Sequence, residues 1–210
     1  MTEIIVRDAV EKDLEWISNI HIKAFPNSAL SKLGAESVKR YYEWQLVGPH
    51  ECLSLVALLD EKIVAFCFSG VFKSALGGFL QKNRNFLIVR VFFHPWLLFN
   101  EIFREKIFEA LRSLKVLPKK KQDTDQLPKK KMRSYGILSI AVDPDVQTKG
   151  IGRLLMEKAE NNAIEKRFEQ MHLSVNSDNL QAINFYLGLG WVKKGDPWTG
   201  SMIKNLVKNQ

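Results

Sequence analysis

Hydrophobic and polar residues alternate between strand-like and helix-like spacing along most of the chain. The opening run at 3–7 (EIIVR) is short and apolar and predicts a strand. A helix is predicted over 8–25, and Asp8 can help to start it. Residues 26–34 (PNSALSKLG) interrupt the pattern, and a second helix follows over 35–46.

The remainder of the chain continues this alternation. Residues 52–70 contain two apolar runs joined at Asp60 and Glu61, which is typical of an antiparallel hairpin. Later elements are a strand at 136–142, a helix at about 150–166, a strand at 171–176, a helix at 178–190 and two strands within 191–209. Helices lie between strands, so the sequence predicts an α/β or α+β protein built on one sheet.

The two cysteines fall in the two runs of the predicted hairpin. With a two-residue turn, Cys52 opposes Ser69 and Cys67 opposes Ser54, so the thiols are diagonal neighbours at roughly 7 Å. A disulfide needs a Cβ separation of about 4 Å, so we expect two free thiols. The start of the chain lacks the basic stretch and long apolar core of a secretory signal, and we expect a cytoplasmic protein.

Residues 71–134 interrupt the alternation of strands and helices and are predicted to be an insertion. Their first half is apolar and helical, but polar residues interrupt it before the roughly 20 apolar residues that a spanning helix needs. The apolar half predicts a pair of surface helices that covers a substrate cleft or touches lipid, with the membrane contact expected within 86–131. The alternative is that its apolar residues form a small satellite core. The second half is lysine-rich and lacks apolar periodicity, which predicts a flexible loop.

Composition narrows the class of protein only slightly. The chain has 210 residues, 46% hydrophobic and 26% charged, which suits a single domain over 1–210 that contains the insertion. A net charge of +8 favours anionic partners in general. The lysines lack interleaved aromatic residues, so we expect no nucleic-acid partner. The histidines show no ligand spacing, and we expect no metal.

The loop QTKGIG at 147–152 is the strongest chemical signal. A nucleoside-triphosphatase loop places Lys-Ser/Thr directly after a glycine, whereas here the lysine precedes Gly150 and no Ser/Thr follows. A dinucleotide fingerprint needs a third glycine where Leu155 stands. The remaining alternatives are an acyl-coenzyme A loop and a turn that binds no ligand.

A helix start after this loop suits a phosphate chemically. Its first N–H groups lack helical partners and carry about half a positive charge. Gly150 and Gly152 allow close approach of a pyrophosphate, Gln147 can brace the loop, and Lys149 and Arg153 add charge.

A second motif follows in NSDNLQAINFYLGLGWV, at 176–192. Asp178 is predicted to cap a short helix. The predicted core side of that helix consists of Leu180, Ile183 and Leu187. Asn179 and Tyr186 lie seven residues apart, so two helical turns bring them to nearly the same face.

Together, these two stretches resemble the GNAT superfamily of acetyl-coenzyme A-dependent N-acetyltransferases. The likeness comprises a strand, the Gln-x-x-Gly-x-Gly loop, a helix, a strand, an Asn-x-x-Ala helix, a tyrosine and a Gly-aromatic pair. The opening stretch VRDAVEKDLEWI and the hairpin at 52–70 also fit, so only the insertion lies outside the resemblance.

The resemblance implies a mixed sheet of about six to seven strands, splayed between strands 4 and 5, flanked by helices, with the helical insertion between strands 3 and 4. Acetyl-coenzyme A is expected in the splay, with Tyr186 as proton donor to the departing thiolate. The implied cofactor-binding residues are Ile140, Ala141, Val142, Gln147, Thr148, Lys149, Gly150, Ile151, Gly152, Arg153, Asn176 and Asn179.

Acceptor, general base and oligomeric state stay open at this point. His21, Glu43, His94 and His172 are all conceivable bases, and none is assigned. The stretch HIKAFPNSALSKLG and the insertion resemble a bacterial branch associated with surface-sugar synthesis, which suggests an amino-sugar acceptor or a sugar nucleotide. A peptide, a protein or another small amine is the alternative acceptor, and a noncatalytic acyl-coenzyme A sensor is the alternative function. A homodimer is one of the open assembly states.

Overall fold

The computed structural model describes residues 3–93, 134–147 and 150–206. These residues fall into two compact units. One unit contains residues 3–9, 50–72 and the described residues from 134 onward, and the other contains 10–49 and 73–93. The expectation of a single domain stays a prediction, and the lysine-rich half of the insertion lies outside the described residues.

The described part of the chain forms one sheet of seven strands. They are β1 (Ile4–Asp8), β2 (Glu51–Leu59), β3 (Lys62–Val71), β4 (Ser134–Val142), β5 (Gln170–Ser174), β6 (Val192–Lys193) and β7 (Ser201–Asn205). Their order in the sheet is β1-β2-β3-β4-β5-β7-β6. β4 and β5 are parallel, and the other neighbours are antiparallel. The predicted mixed sheet is therefore confirmed.

The described residues also form helices in both units. They are α1 (Leu14–Ala24), α2 (Ala29–Lys32), α3 (Ala35–Val47), α4 (Ala75–Lys82), α5 (Arg84–Phe93), α6 (Ile151–Glu165) and α7 (Leu180–Leu187). α4 and α5 follow β3 and precede β4, which confirms a helical insertion at that point of the chain. None of the helices in the described residues is long and apolar enough to cross a membrane.

The sheet splays between β4 and β5, as predicted. Ser134–Gly136 of β4 pair with Gln170–His172 of β5, and the pairing ends there. β4 continues beside β3 to Val142, so its second half extends past the point where β5 leaves it. Within β4, Leu138 is an extra residue, because Ser139 pairs with Phe68 while Ile137 pairs with Ser69. Such a bulge bends a strand locally.

One face of the sheet carries the core of the first unit. α6 contributes Ile151, Leu155, Met156, Ala159 and Ala163, whose spacing places them on one side of the helix. They contact sheet residues of the same face, among them Leu55, Ala65, Cys67, Tyr135, Met171 and Met202. This packing fixes α6, and with it the loop at its start, against the end of the splayed sheet.

Two predictions for the N-terminal segment were wrong in their boundaries. Asp8 does not start a helix, because it is the last residue of β1 and pairs with Leu55. α1 begins only at Leu14, after a 3-10 turn. The predicted break at 26–34 contains the short α2, whose start is capped by Ser28 accepting from the Ser31 N–H at 3.0 Å.

The second unit consists of helices. Phe79 of α4 and Leu87 of α5 pack with Leu33 in a small apolar cluster. Arg90 of α5 donates from Nε to the Leu33 carbonyl at 2.8 Å. The apolar half of the insertion, as far as residue 93, thus contributes buried side chains to a core of this unit.

The predicted pairing of Cys52 with Ser69 and of Cys67 with Ser54 is wrong by one residue. The turn itself was predicted correctly, since Leu59 pairs with Lys62 across two residues of positive φ. Beyond it, however, the register shifts, because Val64 is an extra residue on β3. A one-residue shift changes every later partner along the two strands.

The corrected register separates the two thiols further. Cys52 pairs with Gly70, and Cys67 pairs with Leu55. Side chains alternate between faces along β2, so positions 52 and 55 point to opposite sides of the sheet. As expected, Cys52 and Cys67 do not form a disulfide.

The two thiols should differ sharply in reactivity. Cys67 is fully buried, and burial raises its pKa to about 12, whereas Cys52 is only half-buried. Because the thiolate is the reactive form, a thiol reagent should modify one cysteine in the native protein and both after denaturation. The intact mass measured without reductant should match a chain that keeps both thiol hydrogens. A mass that lacks these two hydrogens would indicate a disulfide and would contradict the register.

Candidate functional site

The glycine loop ends in an uncapped helix start. Gly150 is the N-cap of α6, with φ 76 in the left-handed region and no side-chain capping bond. The first helical bond runs from Leu154 N–H to the Gly150 carbonyl, so the N–H groups of the first turn have no helical acceptor. The first turn also carries no acidic residue. Of the predicted loop residues, Thr148 and Lys149 lie outside the described residues.

The two glycines of the loop have different surroundings. A Cβ added at Gly150 would meet nothing within 4 Å, so space is open beside the helix start. At Gly152, an added Cβ would lie 3.4 Å from Phe185 and 3.7 Å from Val142. Gly150 therefore leaves room for a ligand next to the backbone, whereas Gly152 allows α6 to lie close to α7 and β4.

The side chains next to these glycines cannot all face a ligand. Ile151 is 1% exposed and belongs to the core, so it can offer only its backbone. Arg153 is exposed and stands in the first turn of α6. A positive side chain at this place adds to the field of the helix start.

Gln147 connects the loop to both motifs. Its Nε2 donates to the Val142 carbonyl at 3.4 Å, and its Oε1 accepts from Gln181 Nε2 at 3.3 Å. The predicted bracing role is therefore seen in the geometry: one side chain joins the end of β4 to the start of α7.

The second half of β4 lines the splay with backbone. Ile140 and Val142 turn their side chains toward the core, while Ala141 is buried on the opposite face beside Phe66. What these three residues can present to a ligand along the β5 side is their peptide groups. The adjacent bulge at Leu138 bends the strand just above the vertex of the splay.

The predicted cap of α7 was wrong. Asn179, not Asp178, is the N-cap, and its Oδ1 accepts from the Ala182 N–H at 3.0 Å. Asn176 forms the preceding turn, with Oδ1 accepting from the Asp178 N–H at 3.1 Å. Both asparagines are exposed, so their side-chain oxygens shape the turn while their amide NH2 groups remain as donors.

The predicted core side of α7 also requires correction. Leu180 is 68% and Leu187 is 44% exposed, whereas Ile183 and Tyr186 are buried. Tyr186, with Ala182 and Phe185, packs in the core that contains Trp191, so this side of the helix is buried in place of Leu180 and Leu187.

Tyr186 lies at the edge of this core, where apolar side chains surround its phenol ring. Its ring contacts Phe185 at 5.3 Å and Trp191 at 6.0 Å between centroids. Burial raises the pKa of Tyr186 above its ordinary value, and the nearby Cys67 raises it further. Its hydroxyl makes no hydrogen bond within the described residues. A protonated phenol with an open donor suits transfer of a proton to an anion.

The conceivable bases occupy different environments. His21 is buried between Tyr42 and Ser28, with Nδ1 2.8 Å from the Tyr42 hydroxyl and Nε2 3.3 Å from Ser28 Oγ. Burial lowers the pKa of His21 to about 4, so it is a neutral residue that joins helices. Glu43 is half-buried on α3, and His94 lies outside the described residues.

His172 is placed differently from the other three. It is exposed and stands at the vertex of the splay, where β5 last pairs with β4. Neither Ser134 nor Gly136, which surround its ring, was singled out from the sequence. A glycine inside a strand is the signal that could have drawn attention to them, because it often marks a close approach.

The described residues contain no group of three or more His, Cys, Asp or Glu side chains that could hold a metal ion. The donors that the described residues offer to a ligand at the loop are helix-start N–H groups, peptide groups of β4 and amides of the turn before α7. That donor set is suited to a pyrophosphate with an attached amide-bearing chain.

Residues 120–191 match the model of the Acetyltransferase (GNAT) family. A 52-residue stretch is 38% identical to the uncharacterized protein YxbD of Bacillus subtilis and covers 25% of this chain. The match spans only a third (33%) of that relative's length.

Two solved structures share the fold over nearly the whole chain. PaiA N-acetyltransferase of Thermoplasma acidophilum, in complex with coenzyme A, is 14% identical with a TM-score of 0.58, covering 97% of this chain and 99% of that one. The ribosomal-protein-S18-alanine N-acetyltransferase of Escherichia coli is 15% identical with a TM-score of 0.57, covering 99% and 97%. At such identities the likeness establishes the fold alone.

Proposed function

We propose that the chain is a GNAT acetyltransferase, the family whose model matches residues 120–191, and that it transfers an acetyl group from acetyl-coenzyme A to a primary amine. The observation that carries the proposal is the uncapped start of α6, open beside Gly150 and standing at the end of the splayed β4. Tyr186 supplies a protonated donor on the helix that Gln147 joins to the same loop.

The cofactor residues follow from what each can donate. The N–H groups of Gly150, Ile151, Gly152 and Arg153 would hold the pyrophosphate, assisted by Thr148 and Lys149. Peptide groups of Ile140, Ala141 and Val142 would pair with the pantetheine arm. Asn176 and Asn179 would contribute the amide NH2 groups that the turn leaves available.

When bound, acetyl-coenzyme A supplies an acetyl group on a thioester. We propose that the amine would attack this thioester directly. Cys67 is unsuited to form an acyl-enzyme, since burial raises the pKa of its thiol to about 12. Tyr186 remains protonated at neutral pH and can give its proton to the departing sulfur.

For the acceptor we propose an amino sugar or its nucleotide, with a peptide or protein amine as the alternative. The support is the resemblance of residues 21–34 to a sugar-modifying branch of the family. In the structure, this stretch spans the end of α1 and all of α2, and it includes the buried His21 and the half-buried Ser28.

The test has a binding step and a turnover step. Calorimetry should detect acetyl-coenzyme A binding, and an amine panel with amino sugars, sugar nucleotides, polyamines and peptides should show which acceptor is acetylated. Binding without any acetylation would favour the sensor alternative. No affinity for the cofactor, with steeply salt-dependent binding to nucleic acid, would overturn the proposal.

A further inference from the structure

His172 stands at the vertex of the splay, on the face opposite the core. It pairs with Gly136, and these are the last partners of the β4–β5 register. Its neighbours Met171 and Leu173 are buried in the core of the first unit. Because side chains alternate along a strand, the imidazole projects from the other face.

The ring is held in place by two residues of β4. His172 Nδ1 lies 2.7 Å from Ser134 Oγ. A Cβ built at Gly136 would be 3.0 Å from Nε2 and 3.1 Å from Cε1, so the imidazole covers this glycine closely. The missing side chain of Gly136 makes room for the ring, and Ser134 fixes its orientation.

We propose that His172, positioned by Ser134, accepts the proton of the attacking amine on the face of the sheet opposite Tyr186. The inference rests on the proposed acetyl transfer and adds to it a proton acceptor. Tyr186 belongs to the core face, since its ring packs with Trp191 among the core residues. The two proton-handling groups therefore lie on opposite faces of the sheet, so the amine proton and the departing sulfur are served by separate side chains.

The electrostatic surroundings keep the imidazole neutral. His172 is exposed at its surface side, but partial burial of the residue lowers its pKa, and the positive charge of Lys194 lowers the pKa further. Among the described residues, uncharged Ser134 and Gly136 of β4 adjoin the ring, and Ile203 of β7 is the register partner of His172. When Nδ1–H donates to Ser134, Nε2 carries the lone pair that can take a proton.

The step balances with these two groups. The amine nitrogen forms a bond to the acetyl carbon, and the carbon–sulfur bond breaks. The proton lost by nitrogen goes to His172 Nε2, directly or through one water, and the sulfur receives a proton from Tyr186 Oη. Afterwards His172 releases its proton to solvent and Tyr186 takes one up, so both groups return to their starting states.

A titration by NMR tests the environment of the imidazole independently of turnover. The His172 resonance, assigned by its loss in His172→Gln, should titrate below pH 6.5 in the wild type, the ordinary value for a histidine. Lys194→Met removes the positive neighbour, so the pKa of His172 should rise. The measurement is repeated with coenzyme A bound.

Kinetics then test the role. His172→Gln keeps a partner for Ser134 but removes the base, so kcat/KM for the amine should fall on the order of 100-fold while acetyl-coenzyme A affinity is retained. Dividing the wild-type rate by the His172→Gln rate at each pH removes the effect of protonating the amine substrate, because that effect is the same for both enzymes. That ratio should decrease as pH falls through the pKa of His172, and in Lys194→Met the decrease should begin at higher pH.

A matched control lies on the same strand and face. Gln170 bonds to Asn205 at 2.8 Å, away from the splay, and Gln170→Ala should change the rate by no more than about twofold. Ser134→Ala should lower the rate less than His172→Gln and shift its pH profile, because the ring keeps its base but loses its fixed orientation.

Two outcomes would overturn the inference. One is a His172→Gln enzyme with the full rate and an unchanged pH profile. The other is a Lys194→Met protein in which the pKa of His172 measured by NMR rises while the fall of the rate ratio at low pH stays where it was. That fall would then belong to the titration of another group. In either case the wild type still acetylates its acceptor, whereas failure of the proposed function would abolish binding or turnover in the wild type itself.

Discussion

Tyr186→Phe should lower turnover by roughly 10- to 1000-fold and leave acetyl-coenzyme A affinity unchanged. Phenylalanine keeps the ring contacts with Phe185 and Trp191 and removes only the donor. Because burial raises the pKa of Tyr186, the phenol is protonated through neutral and mildly alkaline pH and is available to protonate the leaving sulfur. The measurements are steady-state kinetics with the best acceptor of the amine panel and calorimetry with the cofactor.

Tyr135 provides a matched control in the same core. Its hydroxyl donates to Asn162 Oδ1 at 2.9 Å and lies 3.1 Å from Ser69 Oγ, so Tyr135→Phe breaks a buried network. We expect that variant to lose about 1 kcal/mol in the free energy of unfolding and to keep its turnover. Tyr186→Phe should show the reverse pattern, because its hydroxyl has no protein partner in the described residues. Equal turnover in wild type and Tyr186→Phe would mean that the thiolate leaves without this donor.

Gly150→Val should lower acetyl-coenzyme A affinity by about tenfold or more, since a side chain would occupy the space that backbone and phosphate must share. That space is open in the structure, with nothing within 4 Å of an added Cβ. The φ of 76° at Gly150 adds a second penalty, because branched residues rarely adopt the left-handed region. Calorimetry on a variant shown to be folded measures the effect.

Gly190 separates backbone strain from ligand exclusion. Its φ is 82, and an added Cβ would meet only the Lys204 side chain, at 3.9 Å. Gly190→Val should therefore destabilise the fold to a similar degree while leaving cofactor affinity as in the wild type. If both variants lose affinity equally, strain and not the loop explains the loss, and the assignment of the loop fails.

The candidate site was predictable where its signals are local in sequence. The helix start after Gly150 needs a residue that accepts positive φ followed by a helix-forming run, and both stand in the sequence. The brace at Gln147 was also expected, and the structure places it between Val142 and Gln181. In contrast, the cap of α7 could not be chosen from sequence, because Asp178 and Asn179 are adjacent and both can accept the capping bond.

By itself, the sequence determined the order of elements, the hairpin turn at Asp60 and Glu61, the sheet class and the two motifs, because periodicity and turn chemistry act over a few residues. Only the tertiary structure decided the hairpin register, since an extra residue at Val64 leaves the apolar pattern intact while shifting every partner. It also decided which side of α7 is buried. The position of the His172 imidazole over Gly136 also depends on the tertiary structure. These two residues are 36 positions apart and meet only because β4 and β5 pair, and the pairing of strands depends on the packing of the whole sheet.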